Sequence, residues 1–317
     1  MLIMLCSESG RKNLVKTFYG AYIFIMRLYI GKSSNTLQQV RLIHAISESS
    51  YEIVLPEEEM KKYLPLKKFL GMDFLEGNSG DFDLTNWLII DHAAPMTSIG
   101  NLKRPIIFPH SITEYCYSLW QGKRAYRYSF AGLVTEKRKL LLESWIKNNI
   151  RKQGYKFPEP NKPTIKTAIN KVIGKFKLSH YLKREKIGDM SLWATDRGRT
   201  FPIKSWDIEY FKILSNSKFI LCPSGDYIWS YRFFESILCG AIPIVEESCL
   251  AYQGFRFFTL RDRADGIEWR EEDAIYNYGL CNDRITVPID ALDRELDKIT
   301  GNINSTVNSF RNNILFA

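Results

Sequence analysis

The side chains best suited to chemistry lie in one short segment, residues 217–245. Pro223 follows an apolar run compatible with a β-strand, and Ser230 is a suitable N-cap for a helix that Gly240 terminates. The pattern therefore predicts a strand, a loop, a helix and a second strand.

Arg232 and Glu235 lie in the first turns of that predicted helix. Their spacing places them on one face, while apolar residues point the other way. A helix N-terminus at the carboxyl end of a parallel strand offers unpaired N–H groups and a positive dipole end, which suits a diphosphate. We therefore expect Ser230 and Arg232 to bind phosphates and Glu235 to accept hydrogen bonds from ribose hydroxyls. The alternative is a surface ion pair between Arg232 and Glu235.

Two successive series of apolar strands and helices are expected to position this segment. The first series consists of strands at 21–30, 51–55, 86–90 and 105–108 and a helix at 36–46. The second consists of strands at 126–131, 192–194, 219–222 and 241–245, helices at 136–149, 164–176, 206–215 and 231–239, and a helical tail at 284–317. The order predicts an α/β fold of two units with a boundary near residues 110–125.

The segment 217–245 resembles the C-terminal signature of exostosin-like glycosyltransferases. The matching residues are Ser217, Phe219, Leu221, Pro223, Gly225, Ser230, Arg232, Glu235, Gly240, Ile242 and Pro243. Residues 124–138 resemble the first strand of that family's donor domain, with Phe130, Gly132 and Arg138 in corresponding places. The likeness covers residues 125–250 and hardly extends to the first 80.

This resemblance implies a GT-B fold, in which two Rossmann-like domains face a central cleft. Residues 1–118 would form an acceptor-side domain and residues 119–317 a nucleotide-sugar-binding domain, with the tail helix packing back on the first. The implied reaction is inverting transfer from a nucleotide-diphosphate sugar, with a UDP-sugar favoured, to a hydroxyl of a glycan. The implied donor-binding residues are Gly132, Arg138, Pro223, Gly225, Ser230, Arg232 and Glu235.

Charge on the leaving diphosphate would be stabilised by Arg138, Ser230 and Arg232, so the resemblance implies neither a cofactor nor a metal ion. A general base should come from the N-terminal domain. His92, after the predicted strand 86–90, is the first candidate. The alternatives are Asp91, His110 and Glu114, each of which also fits a capping or structural role.

Two other motifs suggest competing chemistry. Asp81 and Asp83 have the spacing of the aspartate pair that holds a metal ion in GT-A transferases, so a metal-dependent enzyme is the rival interpretation. Residues 31–33 resemble half of a P-loop, but Met26 stands where the opening glycine is needed.

The formal net charge of +9 is concentrated in residues 121–190, which hold 18 basic and 5 acidic side chains. Such a region attracts anions. We expect a nucleotide-sugar donor, a glycan or lipid-linked glycan acceptor and an anionic membrane surface as partners, and no nucleic acid. The alternative is a catalytically silent protein, or a basic module that binds glycans or nucleic acids. Trp193, Arg197 and Arg199 are further candidates to line the cleft, although Trp193 also fits a core position.

The apolar stretch 18–30 contains Arg27 and is shorter than the ~20 residues that span a membrane. We therefore expect a buried strand there and a cytoplasmic location, soluble or peripheral to a membrane. The Golgi lumen is the alternative if residues 18–30 are an anchor. The six cysteines lack the spacing of a zinc site, which predicts reduced thiols.

Overall fold

The computed structural model describes residues 16–18, 21–23, 25–31, 37–70, 73–120, 122–150, 154–157, 181–195 and 208–301. The predicted helix at 164–176, Arg197, Arg199 and the tail after residue 301 lie outside these ranges, as does most of the lysine-rich stretch 151–186. No helix in the described part of the chain is long and apolar enough to cross a membrane.

The N-terminal sheet consists of four short parallel strands. They are β3 (Arg27–Tyr29), β4 (Glu52–Leu55), β5 (Phe74–Glu76) and β6 (Phe82–Asp83), after an antiparallel pair formed by β1 (Lys16–Phe18) and β2 (Ala21–Ile23). Helices α1 (Leu37–Ser47) and α2 (Glu57–Leu70) connect β3 to β4 and β4 to β5. The strand order is β5-β4-β3-β6. Leu28, Ile43 and Ile53 are buried between the sheet and its helices, because the apolar residues of each element face the same layer.

Three predicted strands of the first series need correction. The stretch 21–30 is two strands in different sheets, β2 and β3. The stretch 86–90 begins as a 3-10 turn and continues as β7 (Leu88–Asp91), which forms an antiparallel sheet with β8 (Met96–Ile99) and β9 (Leu102–Arg104). The stretch 105–108 begins with Pro105 and is followed by Pro109, and prolines lack an N–H donor. Among the described residues it makes a single strand-like bridge, from Phe108 to Thr286.

The C-terminal sheet has six strands. They are β10 (Tyr126–Leu133), β11 (Tyr181–Ile187), β12 (Met190–Thr195), β13 (Ser217–Cys222), β14 (Ile242–Val245) and β15 (Phe258–Thr259). Their order is β11-β12-β10-β13-β14-β15, and every neighbouring pair is parallel except β11 with β12.

Helices cover both faces of this sheet. They are α3 (His110–Ser118), α4 (Glu136–Asn149), α5 (Ile208–Ser215), α6 (Tyr231–Leu238) and α7 (Glu271–Ile285). Along β13, Phe219 and Leu221 face the side covered by α4, whereas Ile220 and Cys222 face α5 and α6. A strand buried on both faces reads as a continuous apolar run, as this one does. The protein is thus an α/β protein with parallel sheets.

The chain reverses its winding direction at the centre of this sheet. It passes from β10 to β12 on one side and later returns to β13 on the other side of β10. The carboxyl ends of β10 and β13 therefore flank a topological switch point, where open α/β sheets usually bind ligands.

The last described helix, α8 (Ile289–Thr300), packs on the N-terminal sheet, where Leu292 and Leu296 join its core. We call residues 16–107 and 287–300 the N-terminal unit and residues 108–286 the C-terminal unit, because their buried side chains, apart from that of Ile106, fall into separate cores. The chain passes between the units twice, near residues 108 and 286, and these two segments lie side by side. The Phe108 N–H donates to the Ile285 carbonyl at 2.8 Å.

Candidate active site

Arg138 bridges the two loops at the switch point. It lies in the first turn of α4, where the Thr135 hydroxyl accepts its backbone N–H. Its Nε donates to the Ser224 carbonyl at 2.9 Å, and its Nη1 donates to the Leu133 carbonyl at 3.0 Å. The side chain therefore joins the end of β10 to the loop that follows β13.

Arg232 lies on the other side of the same crevice, in the first turn of α6. Only 9% of the residue is exposed, its Nε donates to the Ala131 carbonyl at 2.9 Å, and its guanidinium carbon lies 4.5 Å from the Phe130 ring centroid. Nη1 is buried and has no hydrogen-bond partner among the residues that the structure describes. A buried guanidinium with an unpaired N–H edge favours an anionic ligand.

Gly132 and Gly225 let these arginines approach the backbone. A Cβ on Gly132 would lie 2.1 Å from Nη2 of Arg232, and a Cβ on Gly225 would lie 2.6 Å from Nη2 of Arg138. Gly132 also has φ +149°, a conformation that other residues rarely adopt. The absence of a side chain at these two positions thus leaves room for the guanidinium groups between the ends of β10 and β13.

The two cations also interact electrostatically. Burial lowers the pKa of Arg138 to about 10, and the positive charge of Arg232 acts in the same direction. Arg138 remains protonated at neutral pH. A ligand with two or more negative charges would relieve the repulsion between the two guanidinium groups.

Ser230 is the N-cap of α6, as predicted, but its hydroxyl does not cap the helix. Its N–H donates to the Tyr252 hydroxyl at 2.8 Å, while Oγ is buried and lacks a hydrogen-bond partner in the described part of the chain. Pro223 is buried at the end of β13. The hydroxyl of Ser230 is therefore available at the start of the same helix turn as Arg232.

Glu235 is buried, so it does not form the surface ion pair with Arg232 that was the alternative interpretation. The residue is 1% exposed, Oε1 lies 2.5 Å from Nη2 of Arg41, and Oε2 accepts from the Tyr210 hydroxyl at 2.6 Å. Helix α1 of the N-terminal unit supplies Arg41, and α5 of the C-terminal unit supplies Tyr210. The ion pair of Glu235 is therefore buried between the units, and its contact with a ribose remains a prediction.

His92 lies in the turn that follows β7 and contacts the C-terminal unit. Its Nδ1 is 3.0 Å from the Tyr231 hydroxyl, and its carbonyl accepts from Nε1 of Trp229 at 2.8 Å. Asp91 instead stabilises the turn, because its Oδ1 accepts the N–H groups of Ala93 and Ala94. Among the candidate bases, His92 is therefore the one whose side chain contacts the start of α6.

The remaining candidates lie elsewhere. Nε2 of His110 is 2.8 Å from the Val287 carbonyl, at the crossing between the units. Glu114 is exposed on α3. Trp193 is buried in the core beneath α5, with Arg184 stacked on its ring.

The carboxylates of Asp81 and Asp83 both accept hydrogen bonds from backbone N–H groups. Oδ2 of Asp81 accepts from the Arg27 N–H and Oδ1 of Asp83 from the Thr85 N–H, each at 2.9 Å. Within the described ranges, no group of three or more His, Cys, Asp or Glu side chains could hold a metal ion. The five described cysteines are free thiols.

Sequence reasoning missed Arg41, Tyr210 and Tyr231, all of which contact site residues. A signal existed for Arg41, because it is a lone cation within the largely apolar helix α1. Its partner could not be predicted, because Glu235 is 194 positions away. Tyr231 carried no such signal.

A parallel α/β sheet with two arginines and a helix N-terminus at its switch point is an arrangement that many phosphate-binding proteins share. The comparison of the sequence with protein families narrows this class. The family model of the Exostosin GT47 domain matches residues 80–293, so the chain belongs to the exostosin GT47 glycosyltransferases. A search of curated proteins finds no significant match. The predicted family is confirmed, and the protein is a transferase that acts on a sugar donor and an acceptor.

Proposed function

We propose that the enzyme transfers a sugar from a nucleotide-diphosphate sugar, preferably a UDP-sugar, to a hydroxyl of a glycan acceptor with inversion. The two units act as the two domains of a GT-B enzyme. The donor diphosphate binds at the switch point of the C-terminal sheet, and the acceptor approaches from the N-terminal unit. The acceptor is a free or lipid-linked glycan.

The observation that carries this proposal is the pair of guanidinium groups on Arg138 and Arg232. One of them has a buried N–H edge without a partner in the described structure. Burying an unpaired cation is costly, so a site of this kind is stabilised by a bound anion. A diphosphate has the charge and size to contact both arginines and the Ser230 hydroxyl.

The chemistry follows from this arrangement. As the acceptor oxygen attacks the anomeric carbon, the bond to the diphosphate breaks and negative charge grows on the departing oxygen. Arg138, Arg232 and the N-terminus of α6 stabilise that charge in place, without reorganisation during the reaction. Since two side-chain cations serve the leaving group, we propose that no metal ion is needed.

Thermal unfolding with and without UDP tests the donor site. A ligand at 100 times its Kd stabilises the folded state by about 2.7 kcal/mol, which raises Tm by several degrees. We expect this shift in the native protein and its loss in Arg232→Gln and Arg138→Gln. Arg263→Gln, at an exposed surface ion pair with Asp265, is the matched control and should keep the shift.

The shift should be the same in the presence of EDTA, and transfer from a UDP-sugar panel should survive the chelator. An unchanged Tm with UDP, GDP and other nucleoside diphosphates would contradict the proposed site. A shift that depends on a divalent cation would contradict the metal-independent mechanism.

A further inference from the structure

The turn between β7 and β8 is fixed to the start of α6 through both the backbone and the side chain of His92. Nε1 of Trp229 donates to the His92 carbonyl, and the Tyr231 hydroxyl lies 3.0 Å from Nδ1 of His92. The rings of His92 and Tyr231 meet edge to face, with centroids 6.5 Å apart. The imidazole therefore has a defined orientation, although it belongs to the other unit.

Tyr231 stands between the two residues proposed to bind phosphate, Ser230 and Arg232. In the described structure, Nδ1 of His92 is the only hydrogen-bond partner of its hydroxyl. Burial raises the pKa of Tyr231 to about 12, and nearby Arg41 opposes this shift. The phenol is therefore neutral at physiological pH, and its contact with the imidazole adds no charge.

The two nitrogens of a neutral imidazole have different roles. When Nδ1 carries the hydrogen, Nε2 has a free lone pair and can act as a base, and the hydrogen bond at one nitrogen selects the state of the other. Nε2 of His92 has no hydrogen-bond partner among the residues described. An oxygen that accepts the Nδ1 hydrogen would thus make Nε2 the basic atom.

We propose that Tyr231 is a positioning residue for His92: its hydroxyl oxygen accepts the Nδ1 hydrogen and so leaves Nε2 free to take the proton of the acceptor hydroxyl. This inference rests on the proposed function. Tyr231 performs for His92 the orienting role that a carboxylate performs in hydrolase triads.

Nε2 takes the proton as the acceptor oxygen forms its bond to the anomeric carbon, and the electron pair of the breaking bond leaves with the nucleoside diphosphate. The imidazolium then donates from Nδ1 to the Tyr231 oxygen. The proton returns to solvent from Nε2 after the product departs.

A double-mutant cycle measures whether Tyr231 acts through His92. His92→Gln should lower kcat by about 10²–10⁴-fold, the usual contribution of a general base. Tyr231→Phe keeps the ring and should lower kcat roughly tenfold without changing the donor KM, because it disturbs only the base. In the His92→Gln background, Tyr231→Phe should lower kcat further by less than about twofold.

Nitrogen-15 NMR of the histidine rings gives a readout that is independent of activity. The native protein should show His92 with a protonated Nδ1 and an unprotonated Nε2, and Tyr231→Phe should shift the population toward the other tautomer. His92→Gln assigns the signal among the four histidines. Tyr117→Phe, an exposed tyrosine on α3, is the matched control and should change neither the spectrum nor kcat.

Two results would overturn the inference: an equal loss of kcat from Tyr231→Phe in both backgrounds, or a His92 tautomer that does not respond to Tyr231→Phe. Failure of the proposed function is a separate result, namely a native protein that no nucleoside diphosphate stabilises. In that case the NMR spectra still decide whether Tyr231 sets the tautomer of His92.

Discussion

Arg41 and Glu235 form an ion pair that is almost fully removed from water, with 0% and 1% of their side chains exposed. The Tyr210 hydroxyl satisfies the second carboxylate oxygen, and Arg41 also lies over the Phe108 ring at 4.1 Å. The pair joins α1 to α6 and hence one unit to the other. The ion pair therefore stabilises the contact between the two units as well as the helices that carry it.

Removing either partner should be strongly destabilising, because the other charge would remain buried. We expect Arg41→Met and Glu235→Gln each to lower the free energy of unfolding by about 3–5 kcal/mol, and the double substitution to recover part of that loss. Lys61→Met, which breaks an exposed pair with Glu57, should cost less than about 1 kcal/mol. Urea denaturation of the native protein and the four variants measures these differences. Additive losses in the double variant would show that the two residues are not coupled.

His44, next to this pair on α1, should make stability depend on pH. Burial lowers its pKa to about 4, and Arg41 acts in the same direction. Glu48, with Oε1 3.7 Å from Nε2, is the other charged side chain beside the imidazole. The unfolded chain therefore binds a proton near pH 6.5 that the folded chain does not bind until about pH 4.

Stability should accordingly fall as the pH drops from about 6.5 to about 4, by up to roughly 3 kcal/mol from this residue. His44→Gln lacks the titrating group and should flatten that part of the profile, even if it is less stable at pH 7. Urea denaturation from pH 4 to 8 measures both slopes. If stability fell equally steeply with falling pH in the native protein and in His44→Gln, the pH dependence would come from other groups.

At the scale of elements, the sequence predicted the strand, loop, helix and strand of 217–245 because their signals are local. Pro223 ends a strand, Ser230 starts a helix, and Gly240, with φ +72°, ends it. The burial of Glu235 was not predicted, because its partners Arg41 and Tyr210 lie 194 and 25 positions away in the sequence. Likewise, the apolar run near residue 90 predicted a strand, but no local pattern indicates that its partner is antiparallel.

The glycines at the ends of β10 and β13 should matter for binding more than for folding. In Gly132→Ala and Gly225→Ala the new methyl group meets the end of a flexible arginine side chain, which can move away. We expect both variants to remain folded and to lose most of the UDP-induced Tm shift. Gly132→Ala should be the less stable of the two because of its φ angle.

Gly279→Ala is the matched control for these substitutions. Gly279 lies on α7, and a Cβ there has no neighbour within 4 Å. Alanine should stabilise the helix by about 0.5–1 kcal/mol and leave the UDP shift intact. Normal UDP binding by Gly132→Ala or Gly225→Ala would mean that the arginines need not lie where the structure has them.

At the scale of the molecule, α8 belongs to the core of the N-terminal unit, although it follows the C-terminal unit in sequence. Leu296 is fully buried there, and the Tyr51 hydroxyl donates to Oδ1 of Asp297 at 2.5 Å. The sequence predicted one helical tail from residue 284, whereas the structure has α7 ending at Ile285 and α8 beginning after Pro288. Proline lacks the N–H donor that a continuous helix needs, so Pro288 was the local signal for this break. The amphipathic pattern of a helix indicates that it packs, and not which sheet it packs on.

Leu296→Ala should therefore destabilise the N-terminal unit selectively, by about 2–5 kcal/mol. In this variant the backbone amide hydrogens of α1 and β4 should exchange faster than in the native protein, and those of β10 and β13 should change less. Ile289→Ala, on the exposed side of the same helix, should have little effect on either. Faster exchange confined to the C-terminal sheet would contradict the assignment of α8 to the N-terminal core.

The two side-by-side crossings at Phe108 and Ile285 mean that the C-terminal unit is, in topology, an insertion within the N-terminal unit. A chimaera with a related transferase must therefore exchange residues 108–286 as one cassette with two junctions. A single-junction fusion near residue 110 would also replace α8, and the core of the N-terminal unit would then depend on a helix taken from a different protein.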